Sequence, residues 1–427
     1  MVSVISKDGK VLMPCSNAVA RLLVSSGKAK HYRKKGGPYR IKLLYETSSY
    51  VQPMNLGVDV GSGAAGYAVY NPASGEIVYM SEVACRDDIP GRMSGRATRR
   101  RNRRSRKCRY REPRFLNRGN STREDRLSPT MVSKIHSHER EISLVSGAYP
   151  IGRIILEVGS FDTSLMADPQ LADPSVRPWG YQQGPNYGFE NTRAMVLSRD
   201  NHTCQICGGK HRDEKLETHH IVPRSRGGAD TADNLIVLCH TCHAGLHRGE
   251  VSLPKNGRRK GTLRYATQMN TLKTRISARY PEAVRTYGYV TKANRLSMGL
   301  EKSHSIDACC IASRGNRFRI CCNLFRKRCV PDGDFQQTQG PYSGQGLQTG
   351  KIMGFRKYDK VRYMGGIYFI KGRMSSGYAI LMDIDGNKVD FSQMPKGKKT
   401  PKLSNMKRIQ ARSTWMVTEE AVTRSSV

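Results

Sequence analysis

Between Thr203 and His247 the chain reads TCQICGGKHRDEKLETHHIVPRSRGGADTADNLIVLCHTCHAGLH. Two Cys-x-x-Cys pairs, Cys204/Cys207 and Cys239/Cys242, enclose the neighbours His219 and His220, and His243 and His247 close the run. Four thiolates suit a closed tetrahedral zinc site, which can fold a segment too small to build its own apolar core. The imidazoles are left for a second cation. His219 and His220 are adjacent and cannot point the same way, so each has its own role. His243 and His247 are four apart, which on a helix puts both on one face where they can share an ion. With His219 opposite, they make a divalent-metal site. His220, metal-free beside it, has the position of a general base that activates water.

A second set of chemistry-bearing residues is scattered. Leu56–Tyr70 (LGVDVGSGAAGYAVY) alternates Leu56, Val58 and Val60 with Gly57 and Asp59 before a Gly-rich turn, a strand pattern with an acid in mid-strand. Glu76–Val83 supplies another strand. Arg153–Phe161 (RIILEVGSF) is a third, with Glu157 following Ile154, Ile155 and Leu156. Lys302–Ala312 (KSHSIDACCIA) places His304 and Asp307 three apart on the first turn of a helix. Each acid alone could be a surface carboxylate.

Both sets match known arrangements. The 203–247 segment resembles the zinc-stabilised HNH (ββα-metal) nucleases: His219-His220 stand for the first pair, Asn234 for the middle Asn, His243 and His247 for the closing ligands. That resemblance gives Asn234 the task of orienting the loop that carries His220. The flanking segments resemble the RuvC-I, RuvC-II and RuvC-III motifs of RNase H-like nucleases, in that order, with the HNH module between the second and third. By that resemblance Asp59 on the first strand, Glu157 on the fourth, and His304 and Asp307 on the last helix hold two Mg²⁺ ions that clamp an in-line phosphodiester displacement. His304 either helps activate the water or positions Asp307.

These residues must be carried by several elements. The chain has 427 residues, enough for two to four domains. Its 72 Lys+Arg against 35 Asp+Glu give a net charge of +37, which implies a polyanionic partner spread over a large surface. No run of eighteen apolar residues suggests a membrane span, and MVSVISKDGKVLMP lacks the layout of a secretory leader. A cytoplasmic, nucleoid-associated prokaryotic protein is expected. The 12 cysteines then read as metal ligands and reduced thiols, with the irregular cluster Cys309, Cys310, Cys321, Cys322 and Cys329 taken as buried or free thiols.

Between the first two RuvC-like segments, RATRRRNRRSRKCRYREPRF holds ten arginines from Arg96 to Arg114. No Gly or Pro interrupts it before Pro113, so a helix is expected, with arginines on every face that repel one another unless wrapped in phosphate. It resembles the arginine-rich bridge helix of RNA-guided nucleases, which makes Arg96, Arg99, Arg100, Arg101, Arg103, Arg104, Arg106, Arg109 and Arg111 RNA contacts. At the N-terminus, a strand, a helix Asn17–Ser26 and a strand Tyr39–Tyr45 resemble the PLMP domain of the IscB nucleases, although Val11 replaces the first Pro of that motif. At the C-terminus, Gly354–Trp415 has short alternating runs broken by Gly and Asp-Gly, which suggests a small basic β-barrel.

Taken together the chain resembles the IscB family of transposon-encoded RNA-guided endonucleases. The implied fold is α/β multidomain: an RNase H-like (RuvC) domain split in sequence, an inserted zinc-stabilised ββα-metal domain, an arginine-rich helix and a C-terminal β-barrel. The expected boundaries are a PLMP-like domain at 1–52, RuvC-I at 53–90, bridge helix at 91–126, RuvC-II at 127–168, linker at 169–191, HNH at 192–250, linker at 251–262, RuvC-III at 263–330, linker at 331–350, and a C-terminal domain that reads a short target-adjacent motif (TAM) at 351–427. The resemblance implies a monomeric protein in a ribonucleoprotein, with a non-coding guide RNA of the omega-RNA type and double-stranded DNA as partners and no membrane. Its cofactors would be structural Zn²⁺, one Mg²⁺ at the HNH site and two at the RuvC site. HNH would cut the guide-paired strand and RuvC the displaced one. Two rivals are a protein-only homing or restriction-type endonuclease, and a transposon-associated RNA-binding protein without catalysis.

Overall fold

A computed structural model describes residues 2–32, 39–48, 50–105, 126–159, 188–223, 231–254, 264–331, 350–394 and 399–422. Arg106, Arg109 and Arg111, and most of the expected linkers, lie outside these residues. The side chains of Arg99, Arg101, Arg103 and Arg104 do too. The chain divides into two compact units, residues 1–159 with 271–427, and residues 160–270.

In the larger unit, a small N-terminal sheet of order β2-β1-β4-β3 is formed by β1 (Val2–Ile5), β2 (Val11–Cys15), β3 (Ala29–Tyr32) and β4 (Arg40–Leu43). Helix α1 (Asn17–Ser25) starts where the Ser16 hydroxyl accepts from the Val19 amide, and it covers Val2, Val4, Leu12, Ile41 and Leu43. The Ser3 hydroxyl donates to the Ala148 carbonyl at 2.8 Å and ties this sheet to the next.

The central sheet has eight strands, β11-β8-β5-β6-β7-β13-β18 with β12 also on β7. Its strands are β5 (Met54–Asp59), β6 (Ala64–Asn71), β7 (Glu76–Ala84), β8 (Ile151–Glu157), β11 (Val284–Thr286), β12 (Arg319–Ile320), β13 (Leu324–Cys329) and β18 (Trp415–Glu420). The meander β5-β6-β7 is antiparallel, while β8 lies parallel to β5 and β11 parallel to β8. Helices cover both faces, so β5 is buried on both sides although its sequence alternates, since Gly57 counts as buried backbone and Asp59 is a buried acid. One face packs on α3 (Pro129–Ser146) through Met131, Ile135, Ile142 and Val145, joined by Leu272 and Ile276 of a helix at Arg264–Arg279. The other packs on a helix at His304–Ser313 through Ala308, Cys309, Cys310 and Ala312.

Two glycines set that second contact. A Cβ on Gly57 would lie 2.3 Å from the Ala308 carbonyl oxygen, and one on Gly66 would lie 1.8 Å from that of His304. Only bare backbone lets the helix sit this low, and its first turn is thereby brought to the end of β5.

Helix α2 (Ile89–Ser105) begins earlier than the arginine run and takes in Pro90, Gly91 and Gly95. The C-terminal sheet has the order β16-β15-β14-β17, from β14 (Lys360–Tyr363), β15 (Gly366–Arg373), β16 (Ala379–Met382) and β17 (Lys407–Gln410). Met364 and Gly365 join β14 to β15 with positive φ of 47° and 79°, as a two-residue hairpin of matching twist requires. The barrel expectation is corrected here. Among the described residues β16 and β17 remain edges, and the sheet folds over Phe391 and Leu403 instead of closing. Strand β18, within the range expected for that domain, pairs antiparallel with β13 of the central sheet, where Trp415 is buried in the core with Arg140 4.6 Å and Lys327 5.0 Å from its ring.

The smaller unit has α4 (Thr192–Arg199), the antiparallel pair β9 (Leu216–His220) and β10 (Leu235–Cys239), a 3-10 turn at Ala232–Asn234 and α5 (His240–Arg248). The Asn191 side chain caps α4 by accepting from the Ala194 amide, and Gly249 (φ 80°) ends α5. The remaining helices, at Arg264–Arg279, Gly288–Ser297 and His304–Ser313, are α6, α7 and α8. Among the described residues no helix is long and apolar enough to cross a membrane.

Candidate metal centres and acidic site

The four cysteines converge. One Sγ from each of Cys204, Cys207, Cys239 and Cys242 lies within 4.8 Å of the others, and Cys207 Sγ is 3.8 Å from Cys239 Sγ. A tetrahedron with Zn–S bonds of about 2.3 Å has sulfur edges of about 3.8 Å, so the set fits zinc. Cys204 precedes a tight turn, and Cys239 and Cys242 bracket the start of α5, so two backbone turns present the thiols. Burial opposes ionisation of Cys207, but the His211 and Gly209 amides and the neighbouring thiols pull it down to about 6. The sulfurs also supply the apolar filling, packed with Ile236 and Leu238.

His219, His243 and His247 form the other converging set, one ring nitrogen from each lying within 4.8 Å of the others. Strand β9 turns His219 toward α5, and the turn spacing of α5 stacks His243 under His247, Nε2 to Nε2 at 3.2 Å. Burial, then the neighbouring imidazoles, lowers His219 to about 4, so its ring is neutral with a lone pair to donate. His220 is next on β9 and faces the other way. Asn234 grips the chain just beyond it: its Oδ1 accepts from the Val222 amide at 2.8 Å and its Nδ2 donates to the Val222 carbonyl at 3.0 Å.

Sequence reasoning missed Glu217. It sits two residues before His219, on the same face of β9, and its Oε2 lies 2.5 Å from His243 Nδ1. The carboxylate accepts a hydrogen bond from Nδ1–H and so leaves Nε2 facing the other two rings, as outer partners of metal-binding histidines do. The period-2 spacing Glu-x-His was the available signal.

The four residues of the scattered set are gathered in the larger unit. Asp59 ends β5, Glu157 ends the parallel neighbour β8, and His304 and Asp307 are on the first turn of α8. Ser303 caps α8 through the Ile306 amide, while Glu82 on β7 accepts from the amide and hydroxyl of Ser305, each at 3.0 Å. His304 Nδ1 lies 2.6 Å from Asp59 Oδ2, a partner 245 residues away, and this hydrogen bond raises the imidazole pKa. His304 therefore bonds to Asp59, whereas positioning of Asp307 was one of its two expected tasks.

Burial, then the charge of Asp59, raises the pKa of both Glu157 and Asp307. Yet these carboxylates are not among the sets of three donors within 4.8 Å found in the described residues. Each leans on a cation the sequence reading missed. Arg295 on α7 puts Nε 3.0 Å from Asp307 Oδ1, and Lys273 on α6 puts Nζ 3.7 Å from Glu157 Oε1. The Arg295 pair is close but out of line, since both buried atoms lack a hydrogen-bond partner. A buried carboxylate oxygen without a hydrogen bond, beside two further acids, has the chemistry of a hard-cation site. No sequence signal marked Arg295 or Lys273.

His138 was also missed. It is wholly buried on α3, with Nε2 3.0 Å from the Gly61 carbonyl and Nδ1 2.6 Å from the Tyr67 hydroxyl. A carbonyl only accepts, so Nε2 carries the proton and Tyr67 donates to Nδ1. Burial lowers this ring to about 4, which keeps it neutral. It anchors the turn that follows Asp59.

The second cysteine group contains buried Cys309, Cys310 and Cys329 and half-buried Cys321 and Cys322, all free. It is not a metal-donor set among the described residues. On α2, Arg96 and Arg100 are exposed.

With this geometry in place, comparisons assign the class of the smaller unit. Residues 204–249 match the family described as HNH endonuclease, and residues 2–184 match the family described as RRXRR protein. The chain thus carries an HNH endonuclease domain. It is 39% identical over 61 residues to the type IV methyl-directed restriction enzyme EcoKMcrA of Escherichia coli (strain K12), a match covering 13% of this chain and 22% of that enzyme. It is 28% identical over 67 residues to Anaredoxin of Nostoc sp. (strain PCC 7120), covering 16% of this chain and 86% of that protein. Among solved structures, Streptococcus thermophilus Cas9 in complex with AGGA PAM is similar at a TM-score of 0.30 and 12% identity, over 44% of this chain and 26% of that one. The chain spans about a fifth of the restriction enzyme and about a quarter of that Cas9.

Proposed function

We propose that the protein is an IscB-type RNA-guided DNA endonuclease with two hydrolytic centres. The observation that carries this reading is the gathering of Asp59 and Glu157, at the ends of two neighbouring strands, with His304 and Asp307 of the helix packed on that sheet, although the HNH domain interrupts the chain between Glu157 and His304. The acids stand at the end of the first strand of the β5-β6-β7-β8 series and at the end of the fourth, as in a split RNase H-like (RuvC) domain.

In the HNH domain, His220 is the base that takes the proton of the attacking water, held in place by the Asn234 clamp on Val222. His219, His243 and His247 hold one divalent ion, and the four cysteines hold a structural zinc. In the larger unit Asp59, Glu157 and Asp307 hold Mg²⁺, and His304 is oriented by Asp59. A bound divalent ion polarises the scissile phosphate and stabilises charge on the attacking and leaving oxygens. The exposed Arg96 and Arg100, with the rest of the arginine run, bind the phosphates of a guide RNA, and the basic C-terminal sheet meets duplex DNA beside the target. HNH cuts the guide-paired strand, and the acidic site cuts the displaced strand.

The test is strand-resolved cleavage by the protein purified with its RNA, on a duplex matching the guide read from that RNA. His220→Ala should abolish cutting of the guide-paired strand alone, and Asp59→Ala of the displaced strand alone. Cleavage by RNA-free protein, or loss of both strands in either variant, would overturn the reading.

A further inference from the structure

Two tyrosines beside Glu157 have no part in the chemistry above. Tyr287 is the residue before α7 and Tyr289 is its second residue. Their rings stack at 5.9 Å and 10° and remain 48% and 74% exposed. Single exposed aromatics are ordinary, but here two near-parallel, stacked rings stand exposed side by side.

Their position is fixed by the sheet. Strand β11 runs parallel to β8 with Thr286 opposite Glu157, so the chain turns into α7 next to that carboxylate. Gly288, between the tyrosines, is so near that a Cβ on it would lie 3.3 Å from Glu157 Oε1. The backbone that carries both tyrosines therefore passes beside Glu157, held by the same two strands that place the acid.

What fits such a pair of rings follows from charge. Asp59, Glu157 and Asp307 repel a phosphodiester, and two cations beside them, Arg295 and Lys273, are already engaged by carboxylates. The π-face of a nucleobase is the uncharged part of a polynucleotide, and stacking on aromatic rings holds a strand without regard to sequence. Within a duplex that face is covered by stacked neighbours, and it is freed along a strand whose bases have left the duplex stack. We propose that Tyr287 and Tyr289 form a stacking platform for an unpaired base of single-stranded DNA, and so set which phosphodiester reaches the acidic site. The proposal rests on the nuclease reading of that site.

The test uses the full chain with its RNA and a single-stranded oligodeoxynucleotide carrying 5-iododeoxyuridine, photo-crosslinked and mapped by mass spectrometry. Cross-links are expected on the peptide bearing Tyr287 and Tyr289. In strand-resolved cleavage, Tyr287→Ala/Tyr289→Ala should lower kcat/KM on the displaced strand by about tenfold or more, mainly through KM. The guide-paired strand should be cut at the parent rate, and Tyr289→Phe should restore the displaced-strand value. Cross-links confined to other peptides would overturn the platform. So would an equal loss on both strands with lower RNA retention, which would make the occupant RNA. If the parent protein leaves the displaced strand intact, the nuclease reading of the acids fails, while the cross-link map still decides whether the tyrosines hold a base.

Discussion

In the HNH domain seven thiol and imidazole donors fall into two sets, each drawn within 4.8 Å, although little apolar core surrounds them. At strand ends of the central sheet two carboxylates, Asp59 and Glu157, and one on α8, Asp307, are backed by extensive apolar clusters and still form no such set among the described residues. The contrast is one of charge. Neutral imidazoles can crowd, and burial keeps His219 neutral down to about 4. Ionised carboxylates cannot crowd without a cation between them, so Asp307 and Glu157 lean on Arg295 and Lys273. The small domain gathers its metal donors with little apolar core, whereas the acids of the larger unit are placed by a sheet with extensive apolar packing of its own.

That difference breaks first if the thiols are removed. Cys204→Ser/Cys207→Ser should abolish zinc binding and unfold the smaller unit, because metal-binding free energy of about 10–16 kcal/mol supplies the folding free energy of such modules. Limited proteolysis should then cut within 192–250 while the larger unit keeps its melting transition. A protease-resistant HNH domain in the variant, or zinc still bound at one per chain, would show that the thiols do not organise it.

The complementary break is on the sheet. Arg295 and Asp307 are nearly buried, with side chains 11% and 13% exposed, so Arg295→Met leaves an uncompensated carboxylate. Loss of about 3 kcal/mol in urea unfolding is expected for such a broken pair. Adding Asp307→Asn should return most of it. A single variant as stable as the parent would mean that the carboxylate needs no cation.

The sequence disclosed these regions unequally. The Cys-x-x-Cys pairs and His219-His220 were legible because their chemistry is local, and so were the strands around Asp59 and Glu157 and the helix that begins at His304. Arg295, Lys273 and His138 were not, since each matters only through a partner that the fold brings from elsewhere. The place of β18 was hidden for a related reason: it joins the central sheet through β13, and its Trp415 lies in that sheet's core, beside partners the fold brings from elsewhere. The barrel failed because short alternating runs fix strands but not closure.

His138 gives a pH test of the same contrast. Its pKa falls from 6.5 to about 4 on folding, so the unfolded chain binds the extra proton between those values. Stability of the larger unit should be full above about pH 6.5 and fall by on the order of 3 kcal/mol as pH drops to about 4. His138→Gln, whose amide can still donate to the Gly61 carbonyl, should flatten that limb in urea titrations across pH. An unchanged limb in the variant would remove His138 from the account.

The smallest effect sharpens the comparison inside the HNH domain. If imidazoles crowd because they are neutral, something must still choose which nitrogen of His243 faces the ion. Glu217 makes that choice at 2.5 Å from Nδ1. Glu217→Gln keeps the shape and weakens the acceptor, and losses of this kind run to about 10–100-fold in metal affinity. Mn²⁺ titration of the full chain, followed by calorimetry with the zinc site loaded, would read it. Zinc content and the folding of 192–250 should not change, because Glu217 touches an imidazole and not a thiol. Unaltered Mn²⁺ affinity would mean that the helical spacing of His243 and His247 orients the rings unaided, and that this domain needs no carboxylate at all to assemble its second metal site.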